Sequence, residues 1–263
     1  MIKNIKRLGI FDSGVGGLTV LHKLLELPIS DYIYVGDTAN LPYGQKEPKQ
    51  IIKFSQRIAS FLITEKIDAL VVACHTSSAI ALPSLQQTFP QIPIIGTISS
   101  MLPHALNSTI NRRIGIIATQ ASIHSHIHKN ELLKLNPELS IFEQACPKFV
   151  PLIESSKINT SHMQDALNEY LKPLLDSEID TLILGCTHYS LLEEQIKNIV
   201  GNSVTLVSSE NMIAELLKTQ LTGHLPCQKS LKLYVTGNDV LEFEHKAKLI
   251  LKQSITAHQR ILD

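Results

Sequence analysis

The sequence predicts an α/β fold used twice: two similar domains, each a mainly parallel sheet flanked by helices, related by a pseudo-twofold axis, with the active site between them. Three observations carry this. Short apolar runs alternate with longer stretches of helical periodicity along the chain. Residues 66–76 (KIDALVVACHT) and 178–188 (EIDTLILGCTH) repeat one another: Ile67, Asp68, Leu70 and Cys74 fall on Ile179, Asp180, Leu182 and Cys186. Arg7-Leu8-Gly9-Ile10-Phe11 likewise resembles Arg113-Ile114-Gly115-Ile116-Ile117, near the start of each unit.

Strands are expected at 8–11, 32–35, 69–73, 92–95, 114–118, 140–143, 181–184, 204–207 and 231–235. Most are nearly continuous Val, Ile and Leu, the pattern of strands covered on both faces. Helical patterns occupy 18–27, 50–65, 164–175, 191–200, 210–221 and 241–252. The second of these carries Ile51, Phe54, Ile58, Phe61 and Leu62 at helical spacing, and the first ends at Pro28. Such alternation implies parallel sheets joined by right-handed crossovers. We expect the first domain to be discontinuous, residues 1–97 plus 208–263, with the second over 98–207. In sheets of this kind ligands sit beyond the carboxyl ends of the strands. Asp12, Asp37, Cys74, Thr119 and Cys186 all fall there.

Bulk properties narrow the function. A chain of 263 residues buries a sizeable core in one or two domains. With 24 basic and 24 acidic side chains its formal net charge is zero, so no nucleic-acid or anionic-membrane partner is expected. The basic start MIKNIKR is followed by too short an apolar run for a signal peptide, and no stretch approaches ~18 apolar residues. The expected location is the cytoplasm. Four cysteines, Cys74, Cys146, Cys186 and Cys227, are too few and too scattered for a disulfide framework.

Asp12-Ser13-Gly14-Val15-Gly16-Gly17 follows the first strand and opens the first helix. Its glycines let backbone N–H groups approach an anion, a carboxylate as well as a phosphate, though the spacing is not that of a dinucleotide fingerprint. Without a ligand it reads as a tight strand–helix turn. Asp37 has the ordinary alternative of capping a turn. Cys146, which precedes Pro147, reads as a packing residue, and Cys227 as a loop thiol. His124, His126 and His128 alternate, yet Ile123 and Ile127 argue for a helix, where two-residue steps share no face.

Cys74 and Cys186 stand at corresponding strand tips, each beside a threonine and a histidine. A buried structural cysteine is the commoner use of either one alone. A zinc site from Cys74, His75, Cys186 and His188 has the right ligand types without the usual paired spacing. A cysteine hydrolase with His188 as base leaves the second thiol unexplained. Two opposed thiols suit inversion at an α-carbon, where a proton leaves one face and another arrives on the opposite face. A thiol pKa near 8.5 keeps both protonation states within reach. Asp12 and His188 are placed to tune it. No lysine joins the strand-end set to form a Schiff base, and neither cofactor nor metal is expected.

GIFDSGVGGLTVL (9–21), GDTANLPYG (36–44), VVACHTSSA (71–79), CPKFVPLIE (146–154) and LGCTHYSLL (184–192) together resemble the glutamate racemases of the cofactor-independent aspartate/glutamate racemase superfamily. The resemblance runs along nearly the whole chain. It implies interconversion of L- and D-glutamate, the latter feeding peptidoglycan synthesis, with Cys74 and Cys186 as proton carriers. It implies Asp12 as helper on the Cys74 side and His188 on the Cys186 side. Ser13, Thr76 and Thr187 would hold the amino-acid head group. Pro42, Tyr43 and Gly44 would line the place of the side-chain carboxylate. Asp37, Glu154 and Thr119 match further positions of the family's site. His75 stands where the family has a substrate-contacting asparagine, and His128 replaces a tyrosine in the helix after Thr119. Gly96-Thr97-Ile98-Ser99-Ser100 lacks the family's acid, Ser190 replaces a proline, and Ser208 stands where an acidic residue is common. These departures leave two rivals: a racemase for another acidic amino acid such as aspartate, and a catalytically idle relative that binds a ligand or protein. The partner implied is a small amino acid, and a homodimer is compatible with the resemblance.

Overall fold

The structure, a computed structural model, describes residues 5–221, 226 and 228–262. Cys227 lies outside the described residues. Two sheets organise the chain, and every paired strand is parallel to its neighbour. The first contains β1 (Arg7–Asp12), β2 (Asp31–Gly36), β3 (Ala69–Val72), β4 (Ile94–Gly96), β9 (Ser230–Val235) and β10 (Ala257–Gln259), in the order β10-β9-β2-β1-β3-β4. The second contains β5 (Arg113–Ala118), β6 (Ser140–Ala145), β7 (Thr181–Gly185) and β8 (Thr205–Val207), in the order β6-β5-β7-β8. The four strands β2-β1-β3-β4 at one end of the first sheet and the whole second sheet thus follow one plan. We propose that the chain crosses between lobes near 97/98 and 207/208, in the two stretches where it changes sheet.

Helices cover both faces of each sheet. In the first lobe these are α1 (Gly17–Leu24), α2 (Pro48–Thr64), α3 (His75–Ile80), α4 (Leu82–Thr88), α11 (Ser209–Lys218) and α12 (Val240–Leu251). In the second they are α5 (Ile98–Ser108), α6 (Gln120–Ser125), α7 (Ile127–Leu135), α8 (Phe149–Glu154), α9 (Ser161–Asp176) and α10 (Glu193–Val200). Strand alternation sorts the core. Leu8, Ile10, Tyr32, Tyr34, Ala69 and Val71 pack under α1, α11 and α12, whereas Phe11, Ile33, Val35, Leu70 and Val72 pack under α2 and α4. Both faces are apolar, which is why these strands read as continuous runs.

The repeat has the same geometry in both copies. Leu8 pairs with Ala69 as Ile114 pairs with Thr181. Lys66 and Glu178 both adopt a left-handed conformation, φ 59° and 53°. Asp68 accepts the backbone N–H groups of Lys6 and Arg7; Asp180 accepts those of Ile110 and Asn111 and the Thr109 hydroxyl. A carboxylate just before the strand therefore ties down the segment leading into its neighbour. The Gly9 and Gly115 positions face Ile67 and Ile179, and a Cβ there would come within 2.7 and 2.5 Å of those side chains.

Besides helices α3, α4, α5 and α8, which the helical patterns did not include, two features depart from the sequence reading. Strand β10 was not expected, because Ala257-His258-Gln259 is a short, largely exposed edge without an apolar run. The helix expected through His124, His126 and His128 breaks at His126, which is left-handed (φ 52°) and ends α6 before α7 begins. His128 consequently lies on α7 and not in the Thr119 helix, correcting that expectation. Among the described residues no helix is long and apolar enough to cross a membrane.

Removing the Asp180 carboxylate tests the anchor. Burial works against its charge, yet the N–H groups of Asn111 and Ile110 and the Thr109 hydroxyl outweigh it and hold its pKa below the usual value. Asp180→Ala should cost about 1–2 kcal/mol in urea unfolding at pH 7. The difference from wild type should shrink as the pH falls through the lowered pKa, because a protonated Asp180 no longer accepts those bonds.

Candidate active site

The carboxyl ends of the two sheets face each other. Asp12 ends β1, Cys74 follows β3, Thr119 follows β5 and Cys186 follows β7. Cys74 caps the N-terminus of α3, its sulfur accepting from the Ser77 N–H at 3.5 Å. Its thiol also lies 3.9 Å from the Ser13 hydroxyl. Ser13 in turn is 3.4 Å from Asp12 Oδ1. The Cys186 sulfur lies 3.8 Å from His188 Nδ1, and His188 Nε2 is 2.6 Å from Glu154 Oε1. The two thiols are 4% and 6% exposed, which shields both from bulk water.

Hydrogen bonds cross between the lobes throughout this region. Thr187 of the second lobe donates to Asp12 Oδ2 of the first at 2.9 Å. Val15 N–H of the first lobe donates to Glu154 Oε1 of the second at 3.0 Å. The Thr76 and Thr119 hydroxyls meet at 2.9 Å. Gly16 allows the close approach: a Cβ there would come within 2.4 Å of His188 Nδ1 and 2.7 Å of its backbone nitrogen. The loop after β2 closes another side. Asp37 accepts from Tyr43, Asn40 and Thr236, which fixes the loop carrying Pro42, Tyr43 and Gly44. Gly44 abuts Thr119, where a Cβ would come within 2.6 Å of the threonine Cβ.

Burial sets the electrostatics. It pushes the Cys74 thiol up to about 12, with the Asp12 charge adding to the effect and the Ser77 N–H opposing it. Asp12, fully buried, is raised as well, although the nearby His188 charge and the Gly14 N–H pull the other way. Burial alone would make His188 neutral. Its hydrogen bonds to Cys186 and Glu154 and their charges win, and hold it well above an ordinary imidazole. Burial would raise Glu154, but the His188 hydrogen bond, followed by the Val15 N–H and Lys246, lowers it. Both partners thus move toward the charged form, and His188 with Glu154 forms a buried ion pair.

The sequence-predicted residues converge with one exception. His75 turns away from Cys74 because the helix starts between them; its ring packs 6.1 Å from that of His128 across the lobe boundary. Neither ring has a hydrogen-bond partner. Burial lowers both, His75 well below 6.5 with the His128 charge adding to it, His128 to about 4. The zinc combination is therefore split, and among the described residues no group of three or more His, Cys, Asp and Glu is placed to hold a metal ion. Cys146 is buried, its thiol 3.7 Å from the Gln144 carbonyl oxygen. Sequence reasoning missed Tyr34, whose hydroxyl donates to the Gly14 carbonyl at 2.7 Å, and Lys246, which reaches Glu154 from α12. Nothing in the local sequence of either marks it.

Equivalent strand tips carry thiols, one near a carboxylate and the other beside an imidazole, where the two halves of a duplicated α/β fold meet. The family model for Asp/Glu/Hydantoin racemase matches residues 22–217. The chain belongs to that family. It is 41% identical over 258 residues to a glutamate racemase of Latilactobacillus sakei, covering 96% of this chain and 93% of that one. A glutamate racemase of Geobacter metallireducens is 43% identical over 219 residues, 83% of this chain and 81% of that one. Among solved structures, a glutamate racemase isoform of Bacillus anthracis superposes with a TM-score of 0.88 at 34% identity, covering 98% of this chain and 97% of that one. A glutamate racemase of Francisella tularensis in complex with D-glutamate gives 0.88 at 31% identity, with the same coverage.

Two outcomes follow from this geometry. Gly16→Ala should hold the lobes apart and lower kcat/KM about 10²-fold or more, with a lowered unfolding midpoint as bonds across the lobes are lost, in steady-state kinetics beside thermal melts. His128 tests the buried imidazoles. With a folded pKa near 4 against about 6.5 unfolded, the unfolded chain takes up the proton first as pH falls. The stability of neutral His128 is complete above about pH 6.5 and drains by about 3 kcal/mol on reaching pH 4. His128→Phe should flatten that part of the pH dependence in urea titrations at pH 7 and 4.5.

Proposed function

We propose that this chain racemises glutamate by a two-thiol route that asks for no cofactor. Glutamate is favoured as substrate by the relatives, which are glutamate racemases at about 40% identity over most of the chain. One observation carries the mechanism: each strand-tip thiol has its own proton relay, Cys74–Ser13–Asp12 on one side and Cys186–His188–Glu154 on the other.

In this reading the α-carbon lies between the sulfurs. One sulfur, as thiolate, takes the α-proton and becomes a thiol, while the electron pair stays on the substrate as a carbanion conjugated with its carboxylate. The opposite S–H then delivers its proton to the other face, and that sulfur is left as thiolate. The starting state therefore needs one thiol and one thiolate. Burial favours the thiol at Cys74, and an imidazolium at His188 presents an N–H to the Cys186 sulfur. For the enantiomer that presents its α-hydrogen to Cys74, an arriving ammonium group would ease ionisation there, Asp12 taking up the Cys74 proton through Ser13 while His188 passes its proton to the Cys186 sulfur. Ser13, Thr76, Thr119 and Thr187 offer hydroxyls to the substrate's carboxylates, exchanging hydrogen bonds they now make with protein. Fixed dipoles in a dry cleft stabilise the developing charge. Pro42, Tyr43 and Gly44 would line the side-chain carboxylate's place, with Asp37 holding that loop. His75 acts on substrate choice through its packing with His128.

The D-glutamate formed would supply peptidoglycan synthesis. We place the enzyme in the cytoplasm and propose a homodimer, which light scattering on the purified chain would read. The decisive experiment runs the reaction in deuterated water from each enantiomer. Product of inverted configuration should carry solvent deuterium at the α-carbon, and product that keeps its original proton would refute the two-thiol route. Cys74→Ser and Cys186→Ser should each lower turnover by about 10³-fold or more. Aspartate in the same assay should react far more slowly than glutamate.

A further inference from the structure

We propose that Lys246 is a positioning residue for the reaction, holding the Glu154 carboxylate against His188 and so setting the proton affinity of the Cys186 relay. The inference rests on the reading of Cys186–His188–Glu154 as a proton relay. Lys246 sits on α12, in the first lobe, whereas Glu154 ends α8 in the second. Its ammonium group donates to the Glu154 carbonyl oxygen at 2.5 Å, lies 3.8 Å from Glu154 Oε2, and pairs with Glu242 Oε1 at 2.6 Å. Its side chain is only 14% exposed.

The arrangement divides the Glu154 carboxylate. Oε1 serves the Val15 N–H and His188, and Oε2 faces the lysine. One carboxylate thereby ties three elements together, and its orientation toward the imidazole is fixed from behind. The stem of Lys246 is held in place too. Phe243, Ala247 and Leu251 on the same helix are in the first lobe's core, and Phe243 packs 6.4 Å from Tyr34. Tyr34 bonds to the glycine-rich turn that presents Val15. The lysine is thus positioned by the same packing that positions the other clamp on Glu154.

Charge explains why a lysine belongs here. His188 must keep a carboxylate partner for its imidazolium to be stable in a dry site. The charged and titratable groups around the pair are Asp12 and Tyr34 from the first lobe, Cys186 beside His188, Asp239 just before α12, and Lys246 with Glu242 from α12. Of these only Lys246 adds positive charge on the far side of Glu154. A cavity of about 170 Å³ lined by Val15, Glu154 and Lys246 admits solvent, so the effect is screened, not abolished.

Lys246→Met removes the charge and keeps the length; Lys246→Arg keeps the charge. In Lys246→Met the acid limb of the kcat/KM profile should move up by about half to one pH unit, because Glu154 protonates sooner and His188 loses its partner. Lys246→Arg should restore the limb, and thermal midpoints should stay close together. The His188 ring, followed by nitrogen NMR in the full chain, should titrate lower in Lys246→Met, because loss of the Glu154 orientation costs the imidazolium more than removal of the lysine charge returns to it. An unmoved limb with an unmoved His188 titration overturns the assignment, as does a uniform loss of activity at every pH. Should the wild-type protein fail to racemise glutamate, the functional reading falls, while the NMR titration still decides the role of Lys246.

Discussion

A single carboxylate oxygen bears most of the site's organisation. Glu154 Oε1 receives a backbone N–H from the turn of one lobe and faces the imidazole of the other. Buried charge persists only where it is paired and hydrogen-bonded. Keeping His188 and Glu154 both ionised therefore requires the lobes to stay in register, and the register in turn excludes water. The Thr187–Asp12 and Thr76–Thr119 bonds reinforce the same closure from neighbouring strand ends. These polar groups satisfy one another in this closed arrangement.

Duplication supplies the symmetry and divergence supplies the chemistry. Both copies use an Ile-Asp pair to anchor the strand, a left-handed residue before it and a sulfur after it. Beyond the sulfur they part. After Cys74 the chain enters α3 at once, and its threonine turns toward Thr119. After Cys186 it makes a 3-10 turn, Thr187–Leu192, which brings His188 back beside the sulfur. Equivalent thiols therefore meet unlike companions. A carboxylate whose pKa is raised by burial stands on one side, and a paired imidazolium on the other.

Much of the fold was legible. Among the described residues nine of the ten strands lie where apolar runs predicted; most of them are buried on both faces and so must be apolar throughout, while β6 and β9 are only partly buried. The tenth, β10, is an exposed edge whose side chains have no such constraint. Short helices such as α3, α6 and α8 carry too few turns for a periodic signal. The His126 break depended on a single backbone torsion and on a contact with Glu143, neither of which leaves a local trace. The site was readable where residues recur in motifs, as with Asp12, Cys74, Cys186 and His188. It was not readable where a lone residue arrives from afar, as with Lys246 and Tyr34.

The sequence by itself determined the duplicated α/β plan, the strand tips on which the thiols stand, and membership of a racemase family, because periodicity, repetition and motif order are properties of neighbours along the chain. Only the tertiary structure decided which groups are charged, which are paired, and which way each ring faces. Those follow from distances between segments far apart in sequence and from the exclusion of water that their closure brings about. His75 shows the difference. The resemblance puts it where the family has a substrate-contacting asparagine, and only the fold shows that its ring packs beside that of His128 in the other lobe.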